Sequence, residues 1–531
     1  MLTRIAVAAR TPQGLNQPPP LEPYNAFDAD IALQEALARD GGNWAVERVR
    51  DFGAICGSEE AREHSRRALR NVPRLLTHDR FGNRIDAIDY DPSFHWMLRL
   101  SVEHEVPSLP WRDSQPGAQV ARAAMFLMLN GLDTGPACPT AINYAAVPMM
   151  RQDEALAAEW EPRITLPDYD RYAQAGMVMT EKQGGSDLRA NTTRAIPAGD
   201  GWYEVTGHKW FCTHPVFEFF FTLAQAPGGI TCFVAERPHP GFRLQRLKDK
   251  LGGRCLASSE VEFEELPARI LGEEGRGTAI MSTQINYTRL DTMMGVAGML
   301  RRMVAEATHH ARHRSVFGAR LSDQPLMQNV LADLALESEA MTASCMRIAR
   351  SYEADEALLF RRFSTAIMKY WICKRGPIAA VEALECLGGN GFVEESIMPQ
   401  FYRDIEIGTV WEGSGNVAAL DVLRAMVREP DGLSVYLDEC ELAAGGDRRL
   451  DAHIAALRMR LATLDGETVE WRARRFVEDL AVALQASLLV RRAPPAVADA
   501  FCAARLGEGG RAFGTLPAGA EVDMIAARAL A

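Results

Sequence analysis

Behind a proline-rich opening, Gln17-Pro18-Pro19-Pro20, apolar residues recur every three or four positions to about Arg163. This spacing gives each segment one apolar stripe and predicts a run of helices, clearest over 32–38, 45–56 and 120–129. From about Tyr172 the pattern changes to short runs rich in β-branched and aromatic residues, at 202–205, 217–223, 230–234 and 259–263, punctuated by Gly and Pro. These read as strands, so 172–275 is predicted to be a small all-β domain. Helical spacing returns over 290–313, 326–352, 357–387 and 417–427 with no strand between, as in a helical bundle. Glu429-Pro430-Asp431-Gly432 reads as a linker into a further helical region, where Leu450, Ile454, Leu457, Leu461 and Leu464 share one helix face.

The predicted fold class is therefore mostly α with a central β domain. Its parts are a helical domain at 1–171, the β domain at 172–275, a bundle at 276–430 and an additional helical domain at 431–531. A chain of 531 residues is too long for one growing core, which agrees with that division. With 47% hydrophobic and 24% charged residues, it is neither disordered, collagenous nor a disulfide-stapled miniprotein. The balance of 58 basic to 70 acidic residues, net −12, argues against nucleic acid coating the whole surface but leaves room for a local basic patch. Ten scattered cysteines without a Cys-x-x-Cys pair suit reduced thiols of a cytoplasmic protein. The apolar run 5–9 is too short for the core of a signal peptide, and 480–490 is too short to cross a bilayer, so no membrane partner is expected.

Signatures of a phosphate-binding P-loop, a serine-hydrolase elbow, a zincin helix and a Rossmann loop are all missing. His309 and His313 stand one helical turn apart, but Arg312 and Arg314 beside them favour a solvated basic helix end over a metal site. No metal is expected. The most informative stretch is Met179-Thr180-Glu181-Lys182-Gln183-Gly184-Gly185-Ser186-Asp187. It reads as a strand ending in a Gly-Gly turn, where backbone can come close to a planar or phosphorylated ligand and Thr180 and Ser186 add hydroxyls. Taken alone, such a segment is more often only a turn.

Four further segments follow it in order. They are Gly207-His208-Lys209-Trp210-Phe211-Cys212-Thr213, then Arg314-Ser315-Val316-Phe317-Gly318 with Gln324, then Leu387-Gly388-Gly389-Asn390-Gly391-Phe392, and last Arg403-Asp404 with Trp411-Glu412-Gly413-Ser414-Gly415-Asn416. Together the five resemble the ordered motifs of the acyl-CoA dehydrogenase family. The wording of the first and last motifs and the long tail are most similar to its AidB-like branch, associated with the bacterial response to alkylating agents. That resemblance implies an N-terminal helical domain, a β-barrel middle domain and a C-terminal helical bundle, here with an extra helical domain. It implies FAD, held by Met177 and Val178 just before the first motif, by Met179, Thr180 and Ser186 within it and by Phe211, Cys212 and Thr213 of the second. Arg314, Phe317 and Gln324 would reach the FAD of a neighbouring subunit, Gly388 and Gly389 would approach the FAD diphosphate, and Val410, Trp411, Gly413, Ser414, Gly415 and Asn416 would complete the site. A homo-oligomer, commonly a tetramer, is implied with it.

In the family a carboxylate removes the proton next to a thioester carbonyl while hydride passes to the flavin. Glu412 is the candidate base; without the motif it would be an ordinary glutamate at a helix entry. Some members carry the base on the first bundle helix just before an arginine, and that position here is Thr288, which cannot serve. Glu385 stands where the family often has Gln and would repel a diphosphate unless turned away. Arg424 either pairs with Glu412, which would make turnover of ordinary acyl-CoA substrates poor, or faces solvent.

Residues 441–531 hold twelve Arg, no Lys and twelve acidic residues. The branch resemblance implies that this region binds duplex DNA, with Arg448, Arg449, Arg472, Arg474, Arg475, Arg491 and Arg492 as phosphate contacts. Neighbouring Asp447, Glu478 and Asp479 offer the other reading, a salt-bridged appendage. Function is thus read as an FAD-containing acyl-CoA dehydrogenase-type oxidoreductase with a DNA-binding tail, or alternatively as a DNA-associated or structural flavoprotein with little or no turnover.

Overall fold

The computed structural model describes residues 16–463 and 468–530 and carries the elements in the predicted order; Leu464 of the predicted apolar face lies outside the described residues. The N-terminal helices run from Ile31–Arg39 to Glu154–Ile164. Their starts are set by short polar side chains: Asp30, Ser58, Asp91, Asp133 and Asp153 each accept a hydrogen bond from a first-turn N–H. One departure interrupts them. Arg74–His78 and Arg84–Asp89 form an antiparallel hairpin, its turn held by Asp79, which accepts from the N–H groups of Phe81 and Asn83. The strands are only five and six residues long, and their partner is the β domain: Leu75 and Ile88 pack on its core, and Arg84 donates to the Leu244 carbonyl at 2.6 Å.

The β domain is a barrel. Phe219–Ala226 pairs with Gly229–Glu236, that with Ser258–Ile270, that with Trp202–Thr213, that with Arg194–Gly199, and this last returns to Phe219–Ala226 through Arg194 and Gln225. Ala175–Val178 and Phe242–Leu247 extend the sheet. Alternate residues point inward, and Val178, Cys212, Phe220, Phe233 and Phe263 share one buried interior.

The bundle is built on the 37-residue helix Gly277–His313, flanked by Pro325–Arg350, Leu358–Glu385 and Gly415–Arg428. The predicted linker is not one. Pro430 opens a helix, Pro430–Glu441, one residue after Gly415–Arg428 ends, a position where proline's fixed φ and missing N–H are favourable. Gly432 fits there because a Cβ would lie 2.4 Å from the Phe363 ring. The tail continues the same hydrophobic core: Leu450, Leu457, Leu480, Leu484 and Ile525 are buried with the bundle. Tyr436 donates to the Leu480 carbonyl at 3.0 Å and Trp371 to Gln485 at 2.8 Å, tying the 24-residue helix Val469–Arg492 to its neighbours. Among the described residues no helix is long and apolar enough to cross a membrane.

Candidate active site

Glu412 sits in the turn between Ile405–Thr409 and Gly415–Arg428, with φ of 57°, a left-handed conformation that a non-glycine residue adopts only when its surroundings enforce it. Two cations enforce it. Arg289, on Gly277–His313, donates to the Glu412 carbonyl at 3.1 Å and is anchored by Asp421 at 2.5 Å, which Arg362 also holds at 2.7 and 2.9 Å. Lys369, buried on Leu358–Glu385, donates to the Gly413 carbonyl. Three bundle helices therefore fix one peptide turn. Gly413, with φ of 100°, has no freedom for a side chain, since a Cβ would stand 2.8 Å from Val417.

The Glu412 carboxyl is held above the ordinary carboxylate range by burial, against which the Thr288 hydroxyl, Arg289 and Lys369 act in the opposite sense. Thr288 thus lies beside Glu412. Burial also lowers the Lys369 ammonium. A carboxylate so placed is a stronger base than one in water. Arg289 is the arginine that follows Thr288 in the sequence reading, whereas Lys369, Asp421 and Arg362 carry no motif that singles them out, although Lys369 is a lone cation in the apolar run Ala366-Ile367-Met368-Lys369-Tyr370-Trp371.

Arg424 does not pair with Glu412. It lies exposed on Gly415–Arg428, without an ion pair among the described residues, because twelve residues along this path bring it onto the solvent side of the helix. The cations beside Glu412 are Arg289 and Lys369. Glu385 is likewise exposed, turned to solvent.

Below the barrel mouth, the first two motifs meet. Glu181 and Lys209 form an ion pair of 2.9 Å with both side chains fully buried. Lys209 also donates to the carbonyls of Leu223 at 2.7 Å and Met179 at 3.4 Å, while Glu181 accepts from Thr192 at 2.6 Å and Thr193 at 3.1 Å. The Trp210 N–H donates to the Thr180 carbonyl at 2.7 Å. The pair therefore sets the strand end that presents Thr180, with Phe211 facing out, 47% exposed, and Thr213 half-buried. Val178 and Cys212 point the other way, into the barrel core, so the expected cofactor contacts can come only from their backbone. Met177 and Met179 are partly buried against a second core shared with the N-terminal helices through Met149 and Trp160, and Ser186 is exposed.

The remaining motifs are open surface. Phe317 and Gly318, both at positive φ, form the two-residue tip of the hairpin Ser315–Val316/Ala319–Arg320, and Phe317 is 100% exposed. Arg314 donates to the Asn16 carbonyl and Gln324 to that of Val316 at 3.2 Å. No hydrogen bond among the described residues joins this hairpin to Thr180 or Glu412. A Cβ at Gly388 or Gly389 would meet nothing within 4 Å. Gly415–Arg428 starts at Ser414 without a side-chain cap, leaving its first-turn N–H groups available to an anion, and Asn416 beside them accepts from Arg474 of the tail at 2.8 Å. Val410 is exposed and Trp411 half-buried. His309 and His313 engage the carbonyls of Pro19 and His309. Hydroxyls, open glycines, an uncapped helix start and uncovered aromatic side chains fit a large planar cofactor with a diphosphate.

A helical domain, a barrel and a bundle bearing an inward carboxylate define an acyl-CoA dehydrogenase fold. Residues 16–171 match the adaptive response protein AidB N-terminal domain, 176–266 the acyl-CoA dehydrogenase middle domain and 275–427 its C-terminal domain. The chain is 37% identical to the putative acyl-CoA dehydrogenase AidB of Escherichia coli over 92% of its length and 93% of that protein's. It belongs to the acyl-CoA dehydrogenase family, in its AidB-like branch. Solved structures share the fold: Caenorhabditis elegans ACDH-11 in complex with C11-CoA has a TM-score of 0.87 at 24% identity, covering 94% of this chain and 95% of that one. Bacillus anthracis acyl-CoA dehydrogenase complexed with FAD has a TM-score of 0.63 at 19% identity, covering 78% and 76%.

Proposed function

We propose that the protein is an FAD-dependent oxidoreductase that removes the α-proton of an acyl-CoA thioester with Glu412 while hydride leaves the β-carbon. FAD, when bound, supplies the hydride acceptor. The observation that carries the reading is the clamped turn: Arg289 and Lys369 hold the consecutive carbonyls of Glu412 and Gly413, so the carboxylate is aimed without a side-chain ion pair neutralising it. Thr180, Phe211 and Thr213 form the flavin wall, and Gly388 and Gly389 admit the diphosphate. The exposed Phe317 hairpin and Gly-Gly turn make sense when they meet the cofactor of a second copy, so we assign a homo-oligomer, a tetramer by family resemblance. Its ten unpaired thiols suit the cytoplasm.

Cofactor uptake tests this assignment. Gly389→Val adds a side chain that meets nothing in the single chain. The variant is expected to fold with unchanged thermal stability before FAD is added and to bind FAD at least tenfold more weakly in a fluorescence titration. Equal affinity would remove the diphosphate from this turn.

A second reading, duplex-DNA binding, rests on part of the tail. Arg449 is tied to Asp447 and Asp499, and Arg491 and Arg492 are mostly buried against Glu439 and Asp40, so these three are structural. Arg448, Arg472, Arg474 and Arg475 are exposed, the last three on one helix beside Trp471, which is 92% exposed. Arg475 keeps a contact of 3.1 Å to Asp479. Such arginines suit backbone phosphates and would give the protein its place in the alkylation response. Because the tail shares the bundle's core, the test uses the full chain. Arg472→Gln with Arg475→Gln is expected to flatten the salt dependence of duplex binding by about two phosphate contacts, and an unchanged slope counts against this surface.

A further inference from the structure

Residues four apart on a helix stack on one face, so Glu59–Arg70 presents Arg62, Arg66 and Arg70 as a row with successive Cα positions about 6 Å apart along the axis. They line an open cleft of about 380 Å³ whose other side carries Arg254, from the loop after Phe242–Leu247, and Arg403, with Glu394. Five guanidinium groups thus face one carboxylate. Glu394 is already committed to Arg403 through bonds of 2.7 and 3.0 Å. Arg66 touches the exposed Glu63 at 3.3 Å, and Arg254 touches Asp249, 91% exposed, at 3.4 Å. Arg62 and Arg70 have no carboxylate within ion-pair distance among the described residues, and the Nε of Arg66 is buried without a partner.

Arg62 is instead held in place by a neutral group. It donates to the Gln400 side chain at 3.2 Å, and Gln400 donates onward to the buried Asp133 at 3.0 Å. Burial and the nearby Arg302 depress its guanidinium to about 10, although Glu22 and Glu306 act in the opposite sense. The loop 249–255 and the helix Met398–Asp404 are locked together behind the cleft by the Gly253 N–H, which donates to Asp404 at 2.7 Å. Converging arginines that outnumber the carboxylates lining the cleft match the forked geometry by which guanidinium binds phosphate. The volume is at the lower end of small-molecule sites, roughly 300–1,000 Å³. None of Arg62, Arg66, Arg70 and Arg254 belongs to the cofactor motifs, and the proton transfer at Glu412 uses none of the five.

We propose that this cleft is a binding site for a small phosphorylated ligand carrying two phosphoryl groups, such as a nucleotide diphosphate. Those groups can come from a free phosphorylated metabolite or from the nucleotide end of a CoA ester.

The probe is inorganic pyrophosphate, titrated calorimetrically into the full-length FAD-loaded protein at constant ionic strength. Saturable binding of one pyrophosphate per chain is expected. Arg66→Gln with Arg70→Gln should weaken it at least tenfold, and Arg70→Gln alone, an exposed residue whose loss leaves the fold intact, should weaken it measurably. The flavin spectrum should be unchanged in both. Competition between pyrophosphate and an acyl-CoA would assign the CoA nucleotide as the source, and binding without competition would assign a free metabolite; both uphold the site. No saturable heat, or equal affinity in both variants, overturns it.

Discussion

Lys209→Met is expected to destabilise the protein by about 3–5 kcal/mol in denaturant titration, the cost of stranding a buried charge. The pair it breaks is fully buried, with Glu181 held down to about 2 by Lys209 and by bonds from Thr192 and Thr193, although burial alone would raise it. Lys209 is itself lowered to about 8 by burial, offset by Glu181. Without the ammonium, Glu181 faces only neutral donors, and the carbonyls of Met179 and Leu223 lose theirs. The strand end presenting Thr180 should loosen with it, so FAD affinity should fall together with stability. Lys209→Met combined with Glu181→Gln is expected to recover most of the loss, because it removes the stranded charge. A single variant as stable as the parent would show that the pair is not structural. The depressed Glu181 sets a sign as well: its stabilisation is present above the unfolded carboxylate value, 4.5, and is lost as pH falls towards 2.

Glu412→Gln is the second large effect. General-base removal is worth about 10²–10⁴ in rate, and the reductive half-reaction should slow by that order while FAD binding and stability hold. Glutamine keeps the volume and can occupy the same clamped turn, since Arg289 and Lys369 grip backbone oxygens rather than the carboxyl. In the parent enzyme the base must be ionised. With its carboxyl held above the usual range by burial, the rate should fall with decreasing pH along a limb centred above the ordinary carboxylate value, 4.5. A limb centred at or below that value would contradict the burial argument.

Much of this was legible beforehand where local pattern and chemistry coincide. The strand Trp202–Thr213 shows its first residues, 202–205, by their aromatic and β-branched content, and the long bundle helices show themselves by their period. The hairpin Arg74–Asp89 was missed because its strands gain their partner only from the distant β domain. Pro430 misled because proline reads equally well as a breaker and as a helix start. At the site, Glu412 was identified by its motif, but its positive φ and the clamp by Arg289 and Lys369 arise from helices more than forty residues away in sequence. The tail arginines divide the same way. Asp447 and Asp479 could be seen as partners of Arg449 and Arg475, whereas Glu439 and Asp40, which hold Arg491 and Arg492, lie 52 and 452 residues off.

The central assignment is that a bound flavin is reduced by an acyl-CoA only when Glu412 can take the proton. Anaerobic titration of the FAD-loaded protein with a panel of acyl-CoA thioesters, followed by the flavin's visible absorption, measures it directly. The parent protein should bleach with at least one thioester, and Glu412→Gln should retain its flavin colour with the same one. A parent protein that never bleaches, or a Glu412→Gln variant that bleaches as fast, would contradict the account.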